Sequence, residues 1–172
     1  KPLFRRNYDA SSLAAEDYTY GNSFGVVYDD VKTLSFFAEI NVDVNNDFRL
    51  GLSGEFFDYS TDEQVEAWNL PNMKASLNAD YQITDKWYTG ANLFYVGERM
   101  DQYSSVNDAS APMTVTLDSY FDVNAHLGYR FNDRLSAFLK GSNLLNNNYQ
   151  KWMDYDVQGV QVLAGATYKF DF

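Results

Sequence analysis

The chain has no cysteine and only three prolines among its 172 residues. Without cysteine there can be neither a disulfide framework nor a thiolate metal site. No apolar run approaches the ~18 positions that a membrane-crossing helix needs. The chain also starts at Lys1, with no methionine and no apolar leader. We therefore expect either a mature chain after signal removal or a piece of a longer protein.

Positive charge is scarce: 13 Lys and Arg stand against 24 Asp and Glu, which gives a net charge of −11. A nucleic-acid-binding protein needs a basic stripe to meet phosphates, so nucleic acid is not an expected partner. Histidine occurs once, at His126. No cluster has the spacing of metal ligands and no glycine-rich phosphate loop is present, so we predict no metal and no cofactor.

Aromatic residues, in contrast, are abundant at 17%, and 14 of them are tyrosine. Tyrosine and tryptophan combine an apolar ring with a polar tip, which suits a boundary between lipid and water. A tyrosine-rich soluble β-protein would show the same composition. Composition alone therefore leaves both interpretations open.

Apolar and polar residues alternate with period two over most of the chain, as in a β-strand with two unlike faces. The pattern is clearest at 32–44, 73–84, 119–132 and 160–172, and weaker strands are predicted at about 22–29, 48–59, 87–99 and 134–144. Most of the eight are longer than the usual ~5–6 residues, and a tilted strand crosses a bilayer in ~9–11. We predict an all-β fold, an antiparallel up-and-down barrel of about eight strands over residues 21–172, complete or part of a larger barrel. Residues 1–20 are predicted to be irregular.

Short and long connections alternate between these strands. Tight turns are predicted at 45–47, 84–86 and 132–134, where Asn, Asp and Thr can hydrogen-bond their own backbone. Long connections lie at about 60–72, 100–117 and 145–157. Outer-membrane barrels have this asymmetry, with short periplasmic turns and long outer loops. Asp29-Asp30 is an exception, because it looks tight where a long loop is expected.

Three features favour an apolar face that points outward into lipid rather than inward to a soluble core. The polar face carries charges of both signs at strand centres. The alternating pattern of the last predicted strand continues to Phe172. Aromatic residues collect near strand ends with small residues between them, as in the girdles of a membrane barrel. The aromatic positions are Tyr81, Trp87, Tyr129, Phe131, Phe170 and Phe172 near the tight turns, and Tyr95 and Trp152 near the long loops.

The last hundred residues resemble the C-terminal end of TonB-dependent outer-membrane receptors, especially those of the Bacteroidetes type. The resemblance rests on 70-LPNMKASLNADYQITDKWYTGANLFYVGER-99, 120-YFDVNAHLGYRFNDRLSAFLKGSNLLNNNY-149 and 168-YKFDF-172. In this family the penultimate strand ends in an Asn-Leu-Phe/Leu-x-x-x-Tyr stretch, matched here by Asn143, Leu144, Leu145 and Tyr149. The closing aromatics are matched by Tyr168, Phe170 and Phe172.

The resemblance implies an outer-membrane barrel that takes part in nutrient uptake in a Gram-negative bacterium. It implies outer-membrane lipid and the barrel-assembly machinery as partners, with Tyr168, Phe170 and Phe172 as the assembly signal. Family members also carry a plug domain, a TonB-contacting segment and about 22 strands, so the rest of a receptor barrel, its plug and TonB are further expected partners. A stand-alone eight-stranded barrel for adhesion or envelope structure, and a soluble ligand-binding barrel, remain alternatives.

No enzyme activity is predicted. A catalytic His126 would need a partner within ~3 Å, and Asp122 is four residues away along the same strand, too far for direct contact. Binding through the long loops is the more plausible activity, since exposed aromatics and arginine often mark binding surfaces. Loop packing is the competing explanation for these side chains. The candidate ligand contacts are Tyr59, Trp68, Arg99, Tyr103, Trp152 and Tyr155.

Overall fold

A computed structural model describes residues 1–7, 23–105 and 108–170. Thirteen strands are numbered in chain order. They are β1 Pro2–Asn7, β2 Ser23–Tyr28, β3 Lys32–Asp43, β4 Phe48–Ser60, β5 Met73–Gln82, β6 Trp87–Val96, β7 Arg99–Ser105, β8 Asp108–Leu117, β9 Tyr120–Arg130, β10 Leu135–Ser142, β11 Gln150–Trp152, β12 Tyr155–Asp156 and β13 Gln161–Tyr168. The described part of the chain holds no helix with the length and apolarity needed to cross a membrane.

Seven long strands form one antiparallel sheet in the order β13-β10-β9-β6-β5-β4-β3. Neighbours in the sheet follow one another along the chain once the loop hairpins are set aside, so the topology is up-and-down. The predicted all-β antiparallel fold is confirmed. Within the described residues the sheet is open, with β3 and β13 as its two edges.

Three smaller hairpins belong to the connections rather than to the sheet. Strand β2, predicted as the first barrel strand, instead pairs with β1, so the prediction of an irregular segment is wrong for residues 2–7. The long connection predicted at 100–117 is largely the hairpin β7–β8. Asp29-Asp30 joins the β1–β2 hairpin to β3 and is not a turn within the sheet, which explains why it broke the predicted alternation.

The three tight turns are held by the side chain of their first residue. Asn45 Oδ1 accepts the Asp47 amide at 2.9 Å. Thr84 Oγ1 accepts the Trp87 amide at 3.1 Å, and Asn132 Oδ1 accepts the Leu135 amide at 2.9 Å. These local bonds satisfy turn amides that the strand ladders leave free. The predicted turn chemistry is confirmed at all three sites.

The register places most of the apolar side chains of the seven strands on one face, with Phe37, Phe138 and Leu163 among the exceptions. Ile40 pairs with Leu52, Leu52 with Leu77 and Leu77 with Leu93, which makes a continuous apolar row. These side chains are exposed, with Ile40 at 61% and Val162 at 68%. In contrast, the buried hydrophobic residues among those described are Leu3, Trp68 and Leu117, and none of them belongs to the large sheet.

Such an arrangement is incompatible with water on the apolar face. Burying one large apolar side chain is worth ~1.5–3 kcal/mol. About a dozen of them, each roughly half exposed, would forgo roughly 10–20 kcal/mol in water, which matches or exceeds the ~5–15 kcal/mol net stability of a typical domain. The face therefore requires an apolar medium or partner along its whole extent.

Aromatic side chains border this face at two levels. Near the tight turns, Phe48 lies 5.9 Å from Tyr81, and Trp87 lies 4.7 Å from Tyr129 (ring centroids). Near the loops, Tyr95 lies 4.8 Å from Phe121. The eight residue steps from Phe121 to Tyr129 extend roughly 27 Å along the strand, close to the ~25 Å apolar band of outer-membrane barrels once tilt is allowed for. Trp152, predicted in the loop-side girdle, instead contacts Phe24 of β2.

Glycines on the polar face make room for aromatic rings from neighbouring strands. A Cβ on Gly128 would lie 2.1 Å from Tyr88 Cζ, and the Tyr88 ring is held on Gly128 by Arg130, whose guanidinium carbon is 4.4 Å from its centroid. Gly165 accommodates the Phe138 ring in the same way. In contrast, the nearest atom to a Cβ on Gly54 is a backbone oxygen at 4.0 Å.

Gly128→Ala should therefore lower the free energy of unfolding by about 1–3 kcal/mol, because the ring must leave its position. Gly54→Ala is the matched control, and it should be neutral or stabilise by about 0.4–1 kcal/mol by restricting the unfolded chain. Urea unfolding of both variants in lipid vesicles measures the difference. Equal effects of the two substitutions would show that Tyr88 does not depend on the glycine.

Candidate functional site

The connections opposite the tight turns pack on one another through side chains that bind distant backbone groups. We call this group the loop assembly. It comprises the β1–β2 hairpin, residues 61–72, the β7–β8 hairpin and residues 143–160. The buried polar residues among those described all lie in the loop assembly or at the adjoining ends of its flanking segments: Asp29, Arg99, Asp101, Asp122 and Asn143. The assembly therefore has a polar interior fixed by specific hydrogen bonds.

Arg99, at the start of β7, joins two loops. Its Nη2 donates to the Gln150 carbonyl at 2.7 Å, and its Nη1 donates to the Lys151 carbonyl at 3.2 Å. Asn69 Nδ2 donates to the same Lys151 carbonyl at 2.8 Å. Burial lowers the pKa of Arg99, although a guanidinium remains charged at any physiological pH. One cation thus connects residues 61–72 with residues 143–160.

Asp101 continues this connection two residues further along β7. It is fully buried, and its Oδ2 accepts the Met153 amide at 2.7 Å. Arg99 donates hydrogen bonds to carbonyls of this loop, and Asp101 accepts one from an amide of the same loop. Strand β7 therefore serves both as donor and as acceptor toward it. The hairpin and residues 150–153 consequently behave as one unit.

A stack of side chains lies beside this junction. The Tyr120 and Tyr149 rings are parallel, with centroids 3.7 Å apart, and the Arg99 guanidinium carbon is 5.2 Å from the Tyr120 centroid. Tyr149 donates its hydroxyl to Asp122 at 2.8 Å. Burial, followed by this bond to Asp122, raises the pKa of Tyr149, so the hydroxyl keeps its proton. The stack joins β7, β9 and the 143–160 loop.

The family-like Asn-Leu-Leu stretch forms the turn that leads out of β10. Asn143 and Asn146 both have positive φ, at 50° and 51°, a conformation that asparagine tolerates better than most residues. The Asn143 side chain donates to the Asn147 and Gln158 carbonyls and accepts the Asn147 amide, all at 3.0 Å. The asparagine is therefore required both for its backbone conformation and for its bonding to both ends of the loop.

Asp29 anchors the loop that follows β4. Its carboxylate accepts the amides of Asp62, Glu63 and Gln64 at 2.9–3.2 Å. The bond from Gln64 is the main cause of a pKa below the ordinary value, and it acts against burial, which raises the pKa. Asp29 was not predicted as a functional residue, because its partners lie more than 30 positions away.

The six predicted ligand contacts all lie in or beside the loop assembly. Trp68 and Arg99 are buried, so in this structure their side chains pack the assembly. Tyr59 donates its hydroxyl to the Pro71 carbonyl at 3.2 Å. Trp152 and Tyr155 surround Phe24, with centroid distances of 4.7 and 5.6 Å, and Tyr155 is 38% exposed. Tyr103 is half-buried in β7. Only part of the set is thus available to a ligand.

The polar face of the large sheet carries a transverse row of side-chain amides. Asn92 donates its Nδ2 to Asn78 Oδ1, and Asn41 leans over Gly51 on the adjacent strand. Charged side chains flank the row, and the one ion pair resolved among the described residues joins Arg49 to Asp43 at 2.7 Å. The row, in register across five strands, is Asn41, Gly51, Asn78, Asn92 and Asn124.

The remaining predicted residues lie at the opposite end of the sheet or along it. Tyr168 and Phe170 are in contact, with ring centroids 4.9 Å apart, and both are exposed; Phe172 lies outside the described residues. His126 is on the polar face, 6.0 Å from the Tyr88 ring (centroids). In the described ranges no group of three or more His, Asp or Glu is placed to hold a metal ion.

Comparison with solved structures shows that the sheet has the fold of an outer-membrane receptor barrel. The chain is similar to the pyoverdine outer-membrane receptor FpvA of Pseudomonas aeruginosa, with a TM-score of 0.70 and 15% identity over 99% of this chain and 25% of that one. It is similar to the ferric-catecholate import receptor Fiu of E. coli, with a TM-score of 0.68 and 16% identity over 97% of this chain and 23% of that one.

A third match is the siderophore receptor PirA of Acinetobacter baumannii, with a TM-score of 0.65 and 22% identity over 79% of this chain and 22% of that one. The chain therefore spans about a quarter of the length of the solved receptors or less. No protein-family model matches it, and no curated protein matches its sequence. FpvA is a receptor of the outer membrane, which agrees with the predicted location.

Arg99→Met should destabilise the loop assembly by about 2–4 kcal/mol, because it leaves the part-buried Gln150 carbonyl without its Arg99 donor and leaves the Lys151 carbonyl with Asn69 alone. Limited proteolysis should then cut within 150–157 at least several times faster than in the unchanged chain. Lys86→Met is the control, since it removes one exposed charge at a tight turn. Unchanged cleavage in the Arg99 variant would mean that the two loops are held together by other contacts.

The Asp29 anchor should fail only in acid. A carboxyl whose folded pKa lies below its unfolded value of ~3.9 contributes its full stabilisation above ~4 and loses it as the pH falls through the lower folded pKa. The amide chemical shifts of Glu63 and Gln64 should therefore titrate with a midpoint below ~3.9, and Asp29→Asn should abolish the transition. A midpoint above ~4 would contradict the anchor.

Proposed function

We propose that this chain forms the C-terminal part of the barrel of a TonB-dependent outer-membrane receptor, and that it serves nutrient uptake. The observation that carries the proposal is the contrast between the two faces of the large sheet. One face is apolar, exposed and continuous, and it lies between two levels of aromatic side chains. The other face is polar and carries the amide row. The receptor-barrel fold and the family-like closing stretches of the sequence support the same assignment.

The apolar face contacts outer-membrane lipid, and the polar face lines the lumen. In lipid every backbone amide and carbonyl must be paired within the protein, so β3 and β13 require neighbouring strands. Further strands of the same receptor would supply those neighbours and close the barrel. The proposed receptor also has a plug domain in the lumen and contacts TonB on the periplasmic side. The Bacteroidetes are the proposed source of the chain.

The loop assembly is the outward-facing end in this proposal, and the tight turns are periplasmic. Tyr59, Tyr103, Trp152 and Tyr155 are the proposed ligand contacts, while Arg99 and Trp68 hold the assembly in shape. Tyr168, Phe170 and Phe172 act as the signal that the barrel-assembly machinery recognises. The stand-alone and soluble barrels are less favoured, because the open sheet matches a segment of much longer receptors.

The absence of native cysteine allows a direct topology test in intact cells. A cysteine at Val65, which is 78% exposed in the loop assembly, should react with an impermeant maleimide added outside. A cysteine at Asp85, exposed in a tight turn, should react only after the outer membrane is permeabilised. Phe172→Ala should lower the amount of protein labelled at Val65→Cys.

The opposite labelling pattern would reverse the proposed orientation. Equal labelling of both positions in cytosolic extracts without detergent would favour the soluble barrel. A Phe172→Ala chain that is labelled as fully as the unchanged one would remove Phe172 from the assembly signal and leave the topology intact.

A further inference from the structure

A cavity opens beside the loop assembly. Its volume is about 710 Å³, within the ~300–1,000 Å³ typical of small-molecule sites. Residues 116–121, where β8 passes into β9, form one side, and residues 147–150 with Met153 and Asp156 form the other. None of the six predicted ligand contacts lines it.

Part of the cavity lining is rigid and aromatic. Tyr120 and Tyr149 both line it, and their rings stack on each other at 3.7 Å. Asp122 fixes the Tyr149 hydroxyl at 2.8 Å, and Arg99 lies 5.2 Å from the Tyr120 centroid. Because partners outside the cavity hold the stack, a ligand meets a preformed aromatic surface and need not order it.

Apart from Leu117, Phe121 and Met153, the rest of the lining is polar, and its only charged side chains are acidic. Asp118 and Asp156 contribute exposed carboxylates for which the described residues supply no ion pair. Asn147, Asn148 and Gln150 add side-chain amides, whereas no Lys, Arg or His lines the cavity. The guanidinium of Arg99 is not part of the lining, and its Nη groups are already bonded to loop carbonyls.

We propose that this cavity binds a small organic polycation, of which a polyamine is the simplest example. Organic ammonium groups are attracted both by carboxylates and by aromatic ring faces, and the amide oxygens accept the remaining N–H donors. The net charge of −11 on the whole chain draws cations toward it. An anionic ligand would meet two carboxylates and find no cation to pair with.

The test is calorimetric titration of the chain, refolded in a non-ionic detergent, with spermidine at low salt. Sucrose and citrate serve as neutral and anionic probes. Spermidine should bind, and the double substitution D118N/D156N should weaken it by about tenfold or more, since both isosteric changes remove charge and keep shape. D85N/D133N is the matched control, which removes two exposed carboxylates from the tight-turn end and should change affinity by less than about twofold.

A second pair of variants tests the aromatic surface. Tyr149→Phe keeps the ring and should keep most of the spermidine affinity, whereas Tyr149→Leu removes the ring and should lose several-fold. The proposal is overturned if wild-type chain binds no spermidine, if sucrose or citrate binds as tightly, or if D85N/D133N weakens binding as much as D118N/D156N. The last result would mean general charge attraction without a site.

This inference stands apart from the uptake function. Maleimide labelling reports on orientation in the membrane, whereas spermidine titration reports on a cavity beside the loop assembly. A chain with the proposed topology that fails to bind spermidine would overturn the cavity proposal alone. Specific spermidine binding by a chain with the wrong topology would overturn the uptake proposal alone.

Discussion

The structure depends on one constraint, the pairing of every strand of the large sheet in a single antiparallel register. A slip of one strand by one residue would move its apolar side chains to the polar face of the sheet and its charges to the apolar face. The tight turns fix this register locally, because Asn45, Thr84 and Asn132 each bond the turn that they begin. The positions of the apolar face, the amide row and the aromatic levels all follow from this register.

Strand positions within the sheet could be predicted because its two unlike faces impose a strict period of two on the sequence. The predicted strand at 73–84 corresponds to β5, Met73–Gln82, and the one at 119–132 to β9, Tyr120–Arg130. The same reasoning missed β1 and the β7–β8 hairpin. These elements contact other loop elements and lie outside the large sheet, so no alternation marks them. Strand β2 is predicted as a barrel strand, but it pairs with β1.

The loop assembly could be located from the sequence, but its internal roles could not. The sequence indicates either ligand binding or loop packing for Arg99 and Trp68, and both side chains are buried, as loop packing requires. The partners of Arg99 lie about 50 positions away, and no local sequence pattern predicts a contact over such a separation. Tyr149 belonged to a recognisable stretch, so its importance was signalled although its stack with Tyr120 was not. Asp29 and Asp122 carried no signal beyond being acidic residues next to strand ends.

The way in which Arg99, Asp101 and Asn69 bind backbone groups of a distant loop limits how these loops can diversify. Because these contacts are made to main-chain carbonyls and amides, they fix the path of residues 150–153 and do not themselves require particular side chains there. We therefore expect these contacts to survive substitutions in the segment more readily than insertions. A protein engineer who wished to transplant this surface onto another barrel would have to move the β7–β8 hairpin, residues 61–72 and residues 143–160 together.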